Sequence, residues 1–182
     1  GTLEVNAGIN LTGGTNKQVT GNDYADFLEE AEKENFSVLA YAGEDDVTKG
    51  LFTAFTKRMR NDEGVKFVTV LFDYAKADFE GVISVTNETE EQKTALVYWT
   101  AGAQAGAEVN QSITNRIYNG EYHVKAKYKK SKFVEGLQKG EFLYYEDGDD
   151  IRVLRDINTF TSFESNKNSD FSSNRVIRVL DS

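Results

Sequence analysis

Cysteine and proline are missing from the chain altogether, and histidine occurs once, at His123. Without cysteine there can be no disulfide, no thiolate nucleophile, no cysteine-ligated zinc and no iron–sulfur cluster. Without proline, turns fall to the 15 glycines and to Asn and Asp, which tolerate the left-handed backbone. Positive charge is also short: 21 Lys and Arg stand against 30 Asp and Glu, a formal net charge of −9. Such a surface repels phosphate backbones and anionic lipid, so neither nucleic acid nor a membrane is an expected partner. No apolar run approaches the roughly 20 residues that span a bilayer, and no basic start followed by an apolar stretch marks a signal peptide.

The chain is long enough for one substantial core, since a domain of this size buries roughly 70% of the surface its unfolded form exposes. That core is expected over residues 22–182. Before it, residues 1–21 read as an irregular lead-in or edge strand, with Gly, Thr and Asn around isolated apolar residues. Gly1 follows no initiator methionine, and Val176, Ile177, Val179 and Leu180 gather just before Ser182. Both ends therefore read as trimmed, with a packed element cut at the second.

Helical spacing begins at Tyr24, Phe27, Leu28 and Ala31, with Asn22 or Asp23 as the expected N-cap and Glu29, Glu30 and Glu32 on the wet side. The run FSVLAYA at 36–42 predicts a strand ended by Gly43, and the acids Glu44, Asp45 and Asp46 then suit the start of a helix. Val47, Leu51, Phe55 and Met59 recur every four residues as its expected buried stripe, Lys57, Arg58 and Arg60 suit its negative end, and Gly64 stops it. The nearly continuous apolar run from Val65 predicts a strand covered on both faces, completing a βαβ unit.

A further strand is expected around Phe79–Thr86, with Asn87 and Glu90 spaced as a capping box for a helix carrying Leu96, Trp99, Thr100 and Ala103 on one face. Small residues from Ala101 to Ala107 allow close packing, while Gly102 and Gly106 weaken that helix. Tyr122, Val124, Ala126 and Tyr128 alternate as in a half-buried strand, and a short helix from Ser131 to Lys139 ends at Gly140. The runs EFLYYE and DIRVLRDI, joined by Asp147-Gly148-Asp149, predict a hairpin in which Tyr144 and Tyr145 face opposite sides. The fold class is thus α/β (mixed α+β): a mixed sheet with a βαβ unit and a C-terminal hairpin, flanked by helices.

Chemistry-bearing residues are few. His123 lies in YHVKAKY, in phase with polar Glu121 and Lys125, and is expected to be exposed. The stretch Glu146-Asp147-Gly148-Asp149-Asp150 offers clustered oxygens, but it lacks the bidentate acid at the far end of a calcium loop, and a turn explains it. Gly13-Gly14 is not followed by a phosphate-loop Lys and Ser, and no serine sits in a glycine-flanked elbow. No catalytic residue, cofactor or metal is assigned. Two alternatives remain: a hydrolase using paired carboxylates, and an adhesive or receptor-binding module presenting some of the nine tyrosines.

The order of Gly140, Asp147-Gly148, Ile151-Arg152-Val153, Arg155, Ile157-Asn158-Thr159 and the run Asn174 to Asp181 resembles the contractile-tail sheath protein family of Gram-positive phages, defective prophages and R-type, phage-tail-like bacteriocins. AGAQAGAEVNQSITN, with Asn110, Ser112 and Thr114, and FSVLAYAGEDD extend the likeness. The resemblance implies a structural, non-enzymatic subunit of a virion tail or tail-like particle, assembled in the bacterial cytoplasm. Subunits of that family form a helical sleeve around the tail tube, anchored at a baseplate, and contract to drive the tube through an envelope. Exchanged terminal arms pair with neighbouring sheets, so this stretch without them is expected to be monomeric.

The hairpin can be tested directly. If Gly148 holds positive φ, Gly148→Val should cost on the order of 1 kcal/mol or more in chemical denaturation; a change near zero would remove the turn assignment.

Overall fold

The computed structural model describes residues 18–182, so most of the expected lead-in lies outside the described residues. In chain order the elements are α1 (Gly21–Ala31), β1 (Val38–Tyr41), α2 (Asp46–Asn61), β2 (Val68–Phe72), β3 (Val82–Val85), α3 (Leu96–Ala105), α4 (Lys130–Gln138), β4 (Glu141–Phe142), β5 (Tyr144–Asp147), β6 (Asp150–Val153) and α5 (Asn174–Asp181). Strands β1 to β4 form a parallel sheet in the order β1-β2-β3-β4. The expected βαβ unit is β1-α2-β2, and the expected hairpin is β5-β6. The hairpin forms a two-stranded sheet of its own.

The run EFLYYE divides because its first two residues pair in parallel with β3, while Tyr144 onward pairs with β6, where Tyr144 faces Val153. Asn87 sits at this junction. Its Oδ1 accepts from Tyr144 N at 2.8 Å, and its Nδ2 donates to Tyr144 O at 3.1 Å and Lys125 O at 3.0 Å. It is fully buried as a substitute strand partner and does not cap α3, which begins only at Leu96.

Alternation along β2 and β3 sends side chains to two cores. Leu71 and Val82 join Phe52, Phe55, Met59 and Leu28 under α1 and α2. Val70, Phe72, Ile83 and Val85 join Leu96, Val97 and Ala103 of α3 and Phe142, Tyr144 and Val153. Burying each such side chain is worth about 1.5–3 kcal/mol, which is why both faces of the central strands are apolar.

Helix α2 starts where expected, with the Asp45 carboxylate accepting from Thr48 N at 2.7 Å. Its buried stripe differs from the one expected: Val47 is 81% exposed, and Phe52, Phe55 and Met59 face the sheet. A second, polar stripe is buried beside them. Lys49 donates to Phe72 O at 3.1 Å and Arg60 to Phe67 O at 2.8 Å, so cations on one helix hold carbonyls at both ends of β2. Between them, the hydroxyls of Thr56 and Thr69 meet at 2.7 Å.

Two other expectations are corrected. The N-cap of α1 is Thr20, whose amide and hydroxyl donate to Asp23 at 2.8 and 2.7 Å, so neither Asn22 nor Asp23 is the cap. Burial alternates over residues 123–128, with Ala126 buried and Tyr122 exposed, yet the segment makes only an isolated bridge, Thr89 with Val124. The irregular 86–91 segment opposite offers no straight strand to pair with. Gly148 has φ +63° with open space around it, as the first central position of a type II′ hairpin turn requires.

Gly140 is different. Its φ is +76°, and a Cβ there would lie 2.9 Å from the Thr159 backbone. Gly140→Ala combines left-handed strain with a backbone clash and should cost about 3 kcal/mol in urea unfolding; a loss below about 1 kcal/mol would mean the 140–159 crossing gives way easily.

Candidate functional site at the C-terminal helix

Helix α5 is capped by Ser173, whose side chain accepts from Val176 N. Its stripes are inverted. Asn174, Ile177, Arg178 and Asp181, at i, i+3, i+4 and i+7, face the body, while Val179 and Leu180 are 44% and 59% exposed. The clustered apolar residues read from the sequence as a packed face thus contribute only Ile177 to the core.

What the polar stripe meets is Asp156, only 4% exposed. Its Oδ1 accepts from Gln104 Nε2 at 2.7 Å and Asn174 Nδ2 at 2.8 Å; its Oδ2 accepts from Arg178 Nη2 at 2.8 Å and Ile113 N at 3.2 Å. The Asp156 amide donates to Thr114 Oγ1 at 3.0 Å. Arg178 also donates to Gln104 Oε1 and the Gln111 carbonyl. One carboxylate therefore joins α3, the 111–114 loop, the end of the hairpin and α5. A second grip lies further along the helix, where Arg60 holds Asp181 through two bonds of 2.8 and 3.0 Å.

The seam continues through residues 158–162. Asn158 N donates to Ser172 O at 2.9 Å and its Nδ2 to Phe171 O at 2.9 Å. Thr159 exchanges two bonds with the Phe79 backbone through its hydroxyl, at 3.0 and 3.1 Å. Asp78 accepts from the amides of Thr161 and Ser162. Burial pushes the Asp78 carboxyl up, but its bonds from Ser162 and Thr161 outweigh this and leave its pKa lowered.

Several of the other acids singled out are paired with cations. Asp46 is bonded by Lys49 and Lys76, which bring its pKa down to about 2. Glu44 pairs with Lys93. In the acidic turn, Arg152 binds Asp147 at 3.0 Å and Asp150 at 2.7 Å, so the cluster is closed by a cation from its own hairpin. His123 is exposed, as expected, and bonded through Nδ1 to Glu91, which raises the histidine pKa and lowers that of the glutamate. Among the described residues, no group of three or more His, Asp or Glu could hold a metal ion, and no helix is long and apolar enough to cross a membrane.

Residues 17–159 match the family model for the phage tail sheath protein central domain. The chain belongs to the phage tail sheath family. This sheath chain is 42% identical over 189 residues to the phage-like element PBSX protein XkdK of Bacillus subtilis strain 168, a match covering 99% of the chain and 40% of that protein. It superposes with a TM-score of 0.88 and 42% identity on the sheath tail protein of Desulfitobacterium hafniense, covering 100% of the chain and 45% of that one. The helical sheath of the anti-feeding prophage in its contracted state shares the fold, with a TM-score of 0.66 at 14% identity over 92% of this chain and 50% of that one. The sheath chain thus spans less than half the length of the curated relative and of the Desulfitobacterium protein.

Several residues that carried the sheath resemblance meet at the clamp that Asp156 and Arg60 make on α5: Thr114, Asn174 and Arg178 at Asp156 and Asp181 at Arg60, with Asn158 and Thr159 along its seam. Ser112 bonds Thr114, whereas Asn110 and Arg155 are exposed. Asp156 falls between the matched Arg155 and Ile157 without being singled out, and Gln104 lies within AGAQAGAEVNQSITN with no role of its own assigned. The available signal was the i, i+3, i+4, i+7 spacing of Asn174, Ile177, Arg178 and Asp181, which competes with the apolar stripe. Asp156→Ala leaves Arg178 largely buried without its counter-charge and should cost about 3–5 kcal/mol in urea unfolding; a loss under about 1 kcal/mol would show that the clamp does not hold α5.

Proposed function

We propose that this chain is the central domain of a contractile tail sheath subunit. Copies of the whole-length protein polymerise helically around a tail tube, dock on a baseplate and contract to drive the tube through a cell envelope. The observation that carries this reading is the family match over residues 17–159. The 42% identity to the Desulfitobacterium sheath tail protein supports it across the whole chain.

The role is mechanical and not catalytic. Among the described residues, the carboxylates whose pKa is displaced, Glu32, Asp45, Asp46, Asp78 and Glu91, are all displaced downward by hydrogen bonds. A general acid would be held up instead. The net charge of −9 favours protein partners over nucleic acid or lipid. The particle is a virion tail or a tail-like assembly of prophage or bacteriocin type, built in the bacterial cytoplasm. Residues 22–182 act as its core domain, monomeric in isolation at physiological salt because the exchanged arms belong to other parts of the subunit.

Electron microscopy of the whole-length protein mixed with its tail tube tests this. The expected result is tubular sleeves of striated appearance around the tube; a protein that stays dispersed with tube present, across salt and crowding conditions, would remove the assignment.

A further inference from the structure

The net charge of −9 is unevenly spread. Residues 125–139, KAKYKKSKFVEGLQK, hold six lysines against Glu135, a net of +5. All six lysines are exposed. Lys125 and Lys132 reach Glu88 and Glu141 at 3.2 Å, but Lys127, Lys129, Lys130 and Lys139 have no ion pair among the described residues. Burial alternates from Lys125 to Lys129, with Ala126 and Tyr128 turned inward. Lys125, Lys127 and Lys129 therefore all reach solvent within five residues of chain. Holding like charges this close is unfavourable unless something acidic meets them.

The complementary surface is on the same chain, at the other end of the fold. Residues 22–34 hold six acids against Lys33, a net of −5. Of these, Asp26, Glu29 and Glu34 are exposed and have no ion pair among the described residues, while Glu32 is bound to Arg58. Helix α1 stands beside β1, where Tyr24 packs on Tyr41 with ring centres 5.2 Å apart. Helix α4 lies on β4, where a Cβ at Gly136 would meet the side chains of Leu143 and Glu141. These are opposite edges of the four-stranded sheet. Three strand spacings separate them by about 14 Å, beyond the roughly 8 Å screening length of physiological salt, so neither patch neutralises the other within one copy.

From this separation and complementarity we infer that the acidic face of α1 on one copy docks against the lysine-rich 125–139 segment of the next. The contact is heterologous: each copy offers a different face at each end, so the arrangement propagates and does not close as a two-fold dimer. It rests on the sheath reading and names one of the surfaces through which sheath subunits would meet. Its strength is set by ionic screening, which keeps it weak between isolated copies and effective where other contacts already hold subunits together.

Charge exchange in the whole-length protein tests the contact. One variant carries Lys127→Glu, Lys129→Glu and Lys130→Glu; the other carries Asp26→Lys, Glu29→Lys and Glu34→Lys. All six positions are exposed, and thermal melts report whether each variant keeps its fold. The expected result is loss of sleeves in each variant alone and their recovery in a one-to-one mixture, where every contact again joins opposite charges. Variants that assemble like the wild type, or a mixture that stays dispersed, overturn the contact while wild-type sleeves leave the sheath reading standing. If only the lysine variant fails, the basic segment meets the tube and not a second copy, which also overturns the proposal. Wild-type protein that never forms sleeves removes the sheath reading and this contact with it.

Discussion

A carboxylate taken out of water must be met by donors, and Asp156 is met by four. That requirement organises the C-terminal half of the molecule. Gln104 can reach Asp156 only if α3 ends beside the hairpin, Ile113 N only if the 111–114 loop folds back, and Asn174 and Arg178 only if α5 turns its polar stripe inward. Apolar contacts could tolerate a helix rolled or shifted by a residue. Four directional bonds to two oxygens cannot, so the clamp fixes the rotation of α5 about its own axis as well as its position.

The N-terminal half meets the same demand with cations. The parallel sheet is apolar on both faces, and its strand ends would leave carbonyls without partners under the covering helix. Lys49 and Arg60, eleven residues apart on α2, supply donors at the two ends of β2. Arg60 then continues to Asp181. The residue that closes the start of β2 thus also holds the end of α5, one of several links between the two halves.

Much of the architecture was legible because it rests on local rules. The Asp45 cap, the apolar run of β2, the glycines at 140 and 148 and the βαβ order all follow from period, capping and backbone freedom. The misreadings share a different cause. Asn87 has capping-box spacing but is used as a strand partner for Tyr144, a role set by residues nearly sixty positions away. Val47 fits a four-residue period, yet the slight mismatch between that period and the helical turn carries it off the buried face. In α5 two stripes of proper spacing coexist, and hydrophobicity selects the wrong one because Asp156, the group that decides, belongs to another element. Sequence patterns report what a segment could bury; only the partner determines what it does bury.

The crossing of Gly140 over Thr159 leaves space for backbone alone on one side. A shift of one residue in either segment of that crossing would bring a side chain into it, so the spacing from each side to the crossing is locked in phase. The intervening chain has a place without such a limit at the tip, Gly148, where an added Cβ meets nothing. Across related chains, differences in length between these two positions have room to accumulate at the hairpin tip, which makes it the natural place for a loop insertion or a peptide tag that leaves the clamp undisturbed.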